Sequence, residues 1–301
     1  MKKSKKYLII FLILITIIFS LFSFLYVKRI NNYIYITQFA PTTSRQMMGY
    51  GIKTVNGKII IIDGGTKEDS QQLEDYIMEN GQKVEAWFIT HPHSDHAGAF
   101  ETISQNKNIE INKIYMSITD KEWYIENEPS RKTDIDDFFE VLEKDEDIKS
   151  KIVEPQVGDI IKIDNIKAEI LGIKNTEITT NAINNSSMVI KMQVNNKKIL
   201  FLGDTGKESS EKLIKNAKNK LKADIVQVAH HGQNGATEEL YKIVKPQICL
   251  WPTPIWLWNN DSTGVEDSGP WKTKETRKWI ENLHVKQNYV AKDGTQTIKI
   301  F

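Results

Sequence analysis

Four side chains that can bind a metal ion fall within six consecutive residues: His91, His93, Asp95 and His96. The chain contains only six histidines, so a chance cluster of three here is improbable. Imidazole and carboxylate groups suit Zn²⁺ or Mn²⁺, and the single cysteine, Cys249, rules out a structural zinc site built from several thiolates. The segment predicts one or two Zn²⁺ ions, with Mn²⁺ as an alternative and a satisfied surface cluster as the competing interpretation.

Side chains of the same types follow other apolar segments. Asp63 comes after four isoleucines and before two glycines, Asp204 follows the apolar run 199–203, and His230 and His231 follow the mostly apolar run 225–229. Without a metal, Asp63 would be a turn carboxylate and Asp204 a helix N-cap. Each of these positions therefore has a structural as well as a functional interpretation.

The elements that would position these residues are strands with helices between them. Residues 84–90 predict a buried strand directly ahead of His91, and Asn56 with Gly57 predicts a tight turn between strands 51–55 and 58–63. Residues 188–194 and 198–203 predict a second hairpin, and helices are expected at 67–79, 133–150 and 208–221. Each half of the chain contains several predicted strands together with helices. This pattern favours an α/β fold with two facing sheets and helices outside.

The motif His-x-His-x-Asp-His resembles the signature of the metallo-β-lactamase superfamily, and His91, His93, Asp95 and His96 match it in full. The resemblance covers essentially everything after residue 30 and implies an αββα sandwich of two mixed sheets. It implies that Asp63 orients ligands without binding metal, that Asp204 bridges two ions, and that His230 or His231 is the last ligand. Sequence alone does not decide which of these two histidines binds the metal. We assign His230 to the metal and His231 to catalysis.

One common element of the superfamily is missing, because no histidine lies between His96 and Asp204. In its place the chain has a segment that contains Asn184, Asn185 and Ser187. This departure resembles the subgroup that contains the extracellular catalytic domain of the bacterial DNA-uptake (competence) channel protein. The three residues are predicted to line the site or contact substrate, with an ordinary loop as the alternative.

The resemblance implies a hydrolase in which Asp95 orients a water activated by metal, since a bound ion lowers the pKa of water towards about 7. We expect a phosphodiester substrate of the nucleic acid, teichoic acid or phosphocholine type. The alternatives are a hydrolase of esters or lactams and a non-catalytic binding module stabilised by metal. The absent histidine is the only feature that favours the module.

Composition limits the partners. Lys and Arg total 40 against 39 for Asp and Glu, so the chain has no strong positive field that would attract nucleic acid. Nucleic acid is therefore a possible partner that the net charge does not support. Tryptophans at 251, 256, 258 and 271 could form an aromatic wall for bases, sugars or choline, or could fill the core or touch a membrane interface. The oligomeric state is left open.

The first thirty residues predict where the protein resides. Four lysines precede the uncharged run Tyr7 to Val27, whose length at about 1.5 Å per residue matches a bilayer core of roughly 30 Å. A cleaved signal peptide is the competing interpretation. We expect residues 1–30 to form a cytoplasmic tip and transmembrane anchor, and residues 31–301 to form one catalytic domain outside the cell.

Overall fold

Isoleucine-rich segments form the strands of two mixed sheets. The computed structural model describes residues 2–30 and 33–301. The eight-stranded sheet contains β1 Ile34–Gln38, β2 Gly49–Lys53, β3 Ile59–Asp63, β4 Lys83–Ile89, β5 Glu110–Ile111, β6 Ile114–Met116, β7 Ile152–Val153 and β15 Gln296–Ile300. The seven-stranded sheet contains β8 Ile160–Ile163, β9 Ile166–Gly172, β10 Val189–Val194, β11 Lys197–Phe201, β12 Ile225–Gln227, β13 Ile248–Trp251 and β14 Gln287–Val290.

Each sheet combines antiparallel hairpins with parallel strands. The order in the first sheet is β15-β1-β2-β3-β4-β6-β7, with β5 paired to β4, and the order in the second is β14-β13-β12-β11-β10-β9-β8. Strands β2 and β3 form the expected antiparallel pair around Asn56 and Gly57, and β10 pairs antiparallel with β11. Strands β3 and β4 are parallel, as are β11, β12 and β13.

Helices connect these strands. They are α1 Lys2–Ile30, α2 Ser70–Glu79, α3 Ser94–Ile103, α4 Lys121–Asn127, α5 Lys132–Lys144, α6 Glu146–Lys151, α7 Ala182–Asn185, α8 Lys207–Ala217, α9 Glu238–Val244, α10 Ile255–Trp258 and α11 Thr273–Asn282. The predicted membrane anchor falls on α1. Within the described ranges, no helix was found to be both long and apolar enough to cross a bilayer.

Three apolar clusters hold the layers together. Between the sheets, Ile62 and Phe88 pack in one cluster with Ile190 and Phe201. A second cluster joins the first sheet to α2, α3 and α5, and a third joins the second sheet to α8, α9 and α11. Each large apolar side chain buried in this way contributes about 1.5–3 kcal/mol. The predicted arrangement of two mixed sheets with helices outside is confirmed.

Parallel strands bring the candidate metal-site residues to the same edge of the two sheets. Asp63 is the last residue of β3, and His91 lies just beyond β4. Asp204 lies just beyond β11, and His230 just beyond β12. Parallel neighbours end on the same side of a sheet, and a hydrogen bond of 2.9 Å from Met188 N to Thr90 O joins the two sheets at this edge. The two halves of the chain therefore meet here.

Candidate metal centre

The His91–His96 segment changes from strand to helix in a few residues, and this change aims its side chains at one point. His93 is extended and precedes the first turn of α3, which carries Asp95 and His96. Gly98 allows α3 to pack closely, because a Cβ there would lie 2.8 Å from Lys67 N and 3.0 Å from Thr66 Cα. The segment is therefore held by backbone packing as well as by its own hydrogen bonds.

Two groups of potential metal ligands share His96. One consists of His91, His96 and Asp204, and the other of Asp95, His96 and His231; within each group the ligand atoms lie within 4.8 Å of one another. Asp204, a member of the first group, also approaches the second, with its Oδ1 3.3 Å from His96 Nε2 and its Oδ2 3.7 Å from His231 Nε2. His93 lies beside the first group, with its Nδ1 3.0 Å from His91 Nε2.

Several of these atoms are buried without a partner. Within the described part of the chain, the Nε2 atoms of His93, His96 and His231 and the Oδ1 atom of Asp204 have no hydrogen-bond partner. Buried polar atoms are nearly always paired, so these unpaired atoms require an explanation. His96 Nε2 and Asp204 Oδ1 lie 3.3 Å apart, and His231 Nε2 lies 3.7 Å from the other oxygen of Asp204. Coordination of a divalent cation would satisfy the atoms of these three residues, and the donor set suits such an ion. The residues present therefore fit a metal.

The charges in this cluster favour a cation. Burial alone would raise the pKa of Asp204, but the neighbouring His96, His231 and His230 outweigh it and hold that pKa well below its usual range. Burial would likewise raise the pKa of Asp95, but the neighbouring imidazoles of His231 and His96 lower it. Burial, together with His96 and His93, lowers the pKa of His91. Asp95 and Asp204 therefore stay ionised, and a bound cation would compensate their charge.

Asp63 supports the cluster from behind. Its carboxylate accepts hydrogen bonds of 2.8 Å from Thr90 N and Thr90 Oγ1 and lies 2.8 Å from His96 Nδ1. A carboxylate on one ring nitrogen leaves the other free to bind metal and fixes the orientation of the ring. This geometry matches the orienting role predicted for Asp63.

The geometry favours the reverse of our assignment for the adjacent histidines. His231 is fully buried, its Nδ1 lies 2.8 Å from Pro252 O, and its unpaired Nε2 lies 3.2 Å from Asp95 Oδ2. His230 lies at the wall of the adjacent cavity, where its Nε2 is 3.1 Å from Asn184 Nδ2 and 3.8 Å from Asp204 Oδ2. His231 thus has the surroundings of a metal ligand, and His230 those of a group that can reach substrate. The pattern His-His does not distinguish them; both have positive φ, which turns their side chains in ways that sequence does not reveal.

The predicted residues of the asparagine segment have different surroundings. Asn184 faces the cavity and is buried, and its Oδ1 is without a partner among the described residues. Ser187 lies behind the cluster, where its Oγ accepts from Asp204 N at 2.9 Å and lies 3.3 Å from His91 Nδ1. Asn185 is not among the residues that line the cavity, and its side chain is bonded to the backbone of Thr180 and to residues of α8. It donates to Thr180 O and Glu208 Oε2 and accepts from Ser209.

Sequence reasoning missed two residues that contact the cluster, Gln46 and Glu128. Gln46 Nε2 donates to Asp95 Oδ2 at 2.8 Å, and Gln233 Nε2 holds the Gln46 side chain by a hydrogen bond of 3.1 Å. Glu128, which accepts a hydrogen bond from Ile183 N, places its Oε2 3.6 Å from His93 Nε2. Both lie outside any motif, so only the folded structure reveals that they can orient Asp95 and His93.

A cavity of about 710 Å³ opens beside these residues. His93, Asp95, Asp204 and His230 are among the residues that line it, and the others include Arg45, Arg131, Trp256 and Trp271. Volumes of roughly 300–1,000 Å³ are typical of sites that bind small molecules. Residues of the candidate metal centre therefore line a cavity that can admit a substrate.

Residues 52–246 match the family described as the metallo-beta-lactamase superfamily. The chain therefore belongs to this superfamily, whose members are generally hydrolases. A curated relative, ComE operon protein 3 of Bacillus subtilis (strain 168), is 25% identical over 223 residues, which are 67% of this chain and 26% of that protein. This match supports the subgroup predicted from the sequence. The chain spans only about a quarter of the length of that relative.

Solved structures show the same fold at low identity. The metallo-beta-lactamase fold protein YhfI from Bacillus subtilis is 13% identical with a TM-score of 0.54, over 89% of this chain and 100% of that chain. Yeast PDE1, solved without ligand, is 12% identical with a TM-score of 0.51, over 89% of this chain and 99% of that chain. At such identity these likenesses show the fold alone.

Proposed function

We propose that this chain is a metal-dependent hydrolase that cleaves phosphodiester bonds. The observation that carries the proposal is the position of Asp204, whose carboxylate belongs to one group of potential ligands, approaches the other and lines an accessible cavity. A shared carboxylate between two groups of ligands suits a pair of ions. Two-ion sites are widespread among enzymes that displace groups at phosphorus.

The residues divide into two sets. Asp95, His96, His231 and Asp204 would hold one ion, and His91, His93 and Asp204 the other, with Zn²⁺ as the proposed metal and Mn²⁺ as the alternative. When bound, such ions supply Lewis acidity and make a strong nucleophile available from water near neutral pH. Gln46 keeps Asp95 in place, Asp63 keeps the His96 ring in place, and His230 and Asn184 face the space where a substrate would lie.

The cavity rim favours an anionic substrate over a neutral ester or lactam. Arg131 and Arg45 both line the cavity and are partly exposed there, Arg131 3.5 Å from Asp134 and Arg45 3.8 Å from Glu68. An arginine guanidinium suits phosphate oxygens, because its planar set of donors matches them. A phosphodiester carries one negative charge on the phosphate oxygens beside its scissile bond.

Hydrolysis by the full-length chain would test this proposal. We expect it to cleave bis(p-nitrophenyl) phosphate faster than p-nitrophenyl acetate or a chromogenic β-lactam, and we expect Asp95→Ala to lose that activity while remaining folded. Faster cleavage of the ester or the lactam, or an active Asp95→Ala protein, would contradict the proposal. Bound metal without turnover of any of the three would favour the binding module.

We also propose that the enzyme lies at the outer face of the cell membrane, attached through its first thirty residues. Support comes from apolar side chains that α1 exposes, among them Phe11, Phe19 and Phe22. Exposed apolar surface of this extent favours contact with lipid or another apolar partner. Fractionation of cells would test this location, and recovery of the full-length chain in the soluble fraction would contradict it.

A further inference from the structure

Of the four tryptophans between residues 251 and 271, two have structural roles. Trp251 is almost completely buried, and its Nε1 donates a hydrogen bond of 2.8 Å to Asn288 Oδ1. Trp258 packs against the third core cluster and under the Arg277 guanidinium, whose carbon lies 4.2 Å from the ring centroid. These two indoles are explained by packing.

The other two, Trp256 and Trp271, lie at the cavity beside the candidate metal centre. Both are partly exposed and line the same cavity as His93 and His230. Their ring centroids are 4.9 Å apart and their planes meet at 67°, so the edge of one ring faces the other. We call these two residues the indole pair.

The indole pair is held in place without any ligand. Trp256 Nε1 donates a hydrogen bond of 2.8 Å to Ser44 O. Trp271 N donates to Asn260 Oδ1 at 3.1 Å, and the buried Asn260 also donates to Gly269 O at 2.7 Å. The Trp271 ring rests directly on Gly269, where a Cβ would come within 2.3 Å of it. Rings fixed in this way lose little conformational entropy when a ligand stacks on them.

The pair is also connected to the loop that carries His230 and His231. Asn234 N, a few residues beyond them, donates a hydrogen bond of 3.0 Å to Trp271 O. The position of the indole pair relative to the cluster is therefore set by the backbone. Because these rings and the ligand residues line one cavity, a substrate bound at the cluster has room to place a neighbouring ester group against the rings.

We propose that the indole pair is a stacking subsite for a planar ring on the ester group that the enzyme does not release, so that the preferred substrates are phosphodiesters carrying such a ring. This inference rests on the proposed phosphodiesterase function. Flat rings stack on indole faces, and one such contact changes affinity measurably.

A planar ring suits this corner better than a quaternary ammonium group. Recognition of quaternary ammonium uses a cage of several aromatic faces, whereas the pair meets edge to face. The indole pair therefore favours diesters that carry a planar ring over polyol or choline diesters.

Four diesters with the same p-nitrophenolate leaving group would test this proposal on the full-length protein. Their second ester is methyl, phenyl, thymidine-5′ or choline, so that only the retained group differs. We expect kcat/KM for the phenyl and thymidine diesters to exceed that for the methyl diester by roughly 5- to 150-fold, the range that stacking of one base spans. We expect Trp256→Ala and Trp271→Ala to reduce this ratio towards one, Trp256→Phe to restore part of it, and Trp279→Ala, a partly buried tryptophan in the third core cluster, to leave it unchanged.

The outcomes separate the subsite from the proposed function. Equal rates for methyl and phenyl diesters, or a ratio that the indole substitutions do not change, would overturn the stacking subsite while leaving the phosphodiesterase intact. A preference for the choline diester that both indole substitutions abolish would also overturn it. If no diester is cleaved, the proposed function fails, and calorimetry with phenylphosphonate and methylphosphonate still tests the subsite. Equal affinity for these two would then overturn it, and tighter binding of phenylphosphonate that requires both tryptophans would support it.

Discussion

Replacing Asp204 by alanine is expected to lower kcat/KM for a phosphodiester by about 10³-fold or more. The carboxylate lies within 4 Å of four histidines, and its Oδ1 is one of the unpaired atoms of the cluster. Its removal would weaken both groups of ligands at once. Metal ions contribute several kcal/mol of transition-state stabilisation, and each 1.36 kcal/mol corresponds to tenfold in rate.

The measurement combines steady-state kinetics with metal analysis of the purified protein. Asp75→Ala is a matched control, because Asp75 is an exposed aspartate on α2 whose side chain accepts a hydrogen bond from Gln71 on the same helix. Circular dichroism would verify that both variants are folded. An Asp204→Ala protein that keeps its metal content and more than a tenth of its activity would show that this carboxylate does not hold the ions.

Replacing His231 by alanine is expected to reduce activity by about 10²-fold or more and to reduce the metal content, whereas His230→Ala should lower activity with little loss of metal. The physical reason is the difference in their surroundings. His231 Nε2 is buried, unpaired and 3.2 Å from Asp95, while His230 faces the cavity and Asn184. Metal analysis of the two variants side by side, with kinetics on the same samples, distinguishes them.

The opposite result would have a clear meaning. If His230→Ala loses metal and His231→Ala retains it, the assignment made from sequence is right and the geometry described above is misleading. Asn184→Ala is a useful companion, because the Asn184 Nδ2 lies 3.1 Å from His230 Nε2. An Asn184→Ala protein should therefore resemble His230→Ala in its kinetics.

Sequence was a good guide to the parts of the site that follow strands. The runs before Asp63, His91, Asp204 and His230 are strongly apolar, and each forms a largely buried strand that ends at its polar residue or within three residues of it. Parallel pairing then places these ends at one edge, as the fold class implies. For this reason the cluster could be predicted from local patterns and one supersecondary rule.

Other parts depend on loops and could not be predicted. Gln46, Glu128 and the indole pair reach the cavity from loops or short helices that carry no periodic pattern. Asn185 was placed at the site on resemblance alone, yet it caps the start of α8. Similarly, the predicted helix 133–150 is divided at Asp145, which is extended and caps α6 with its side chain. Such details depend on tertiary contacts that local propensity does not record.

The most direct test of a metal-dependent phosphodiesterase is a titration of metal into the chelated full-length protein, with hydrolysis of bis(p-nitrophenyl) phosphate followed at each addition. The site described here predicts negligible activity without metal and a rise in activity with Zn²⁺ or Mn²⁺ that levels off at one or two ions per chain. Asp204→Ala should show no such rise. Full activity after complete removal of metal, or stoichiometric binding of metal with no hydrolysis of the diester, would contradict the account.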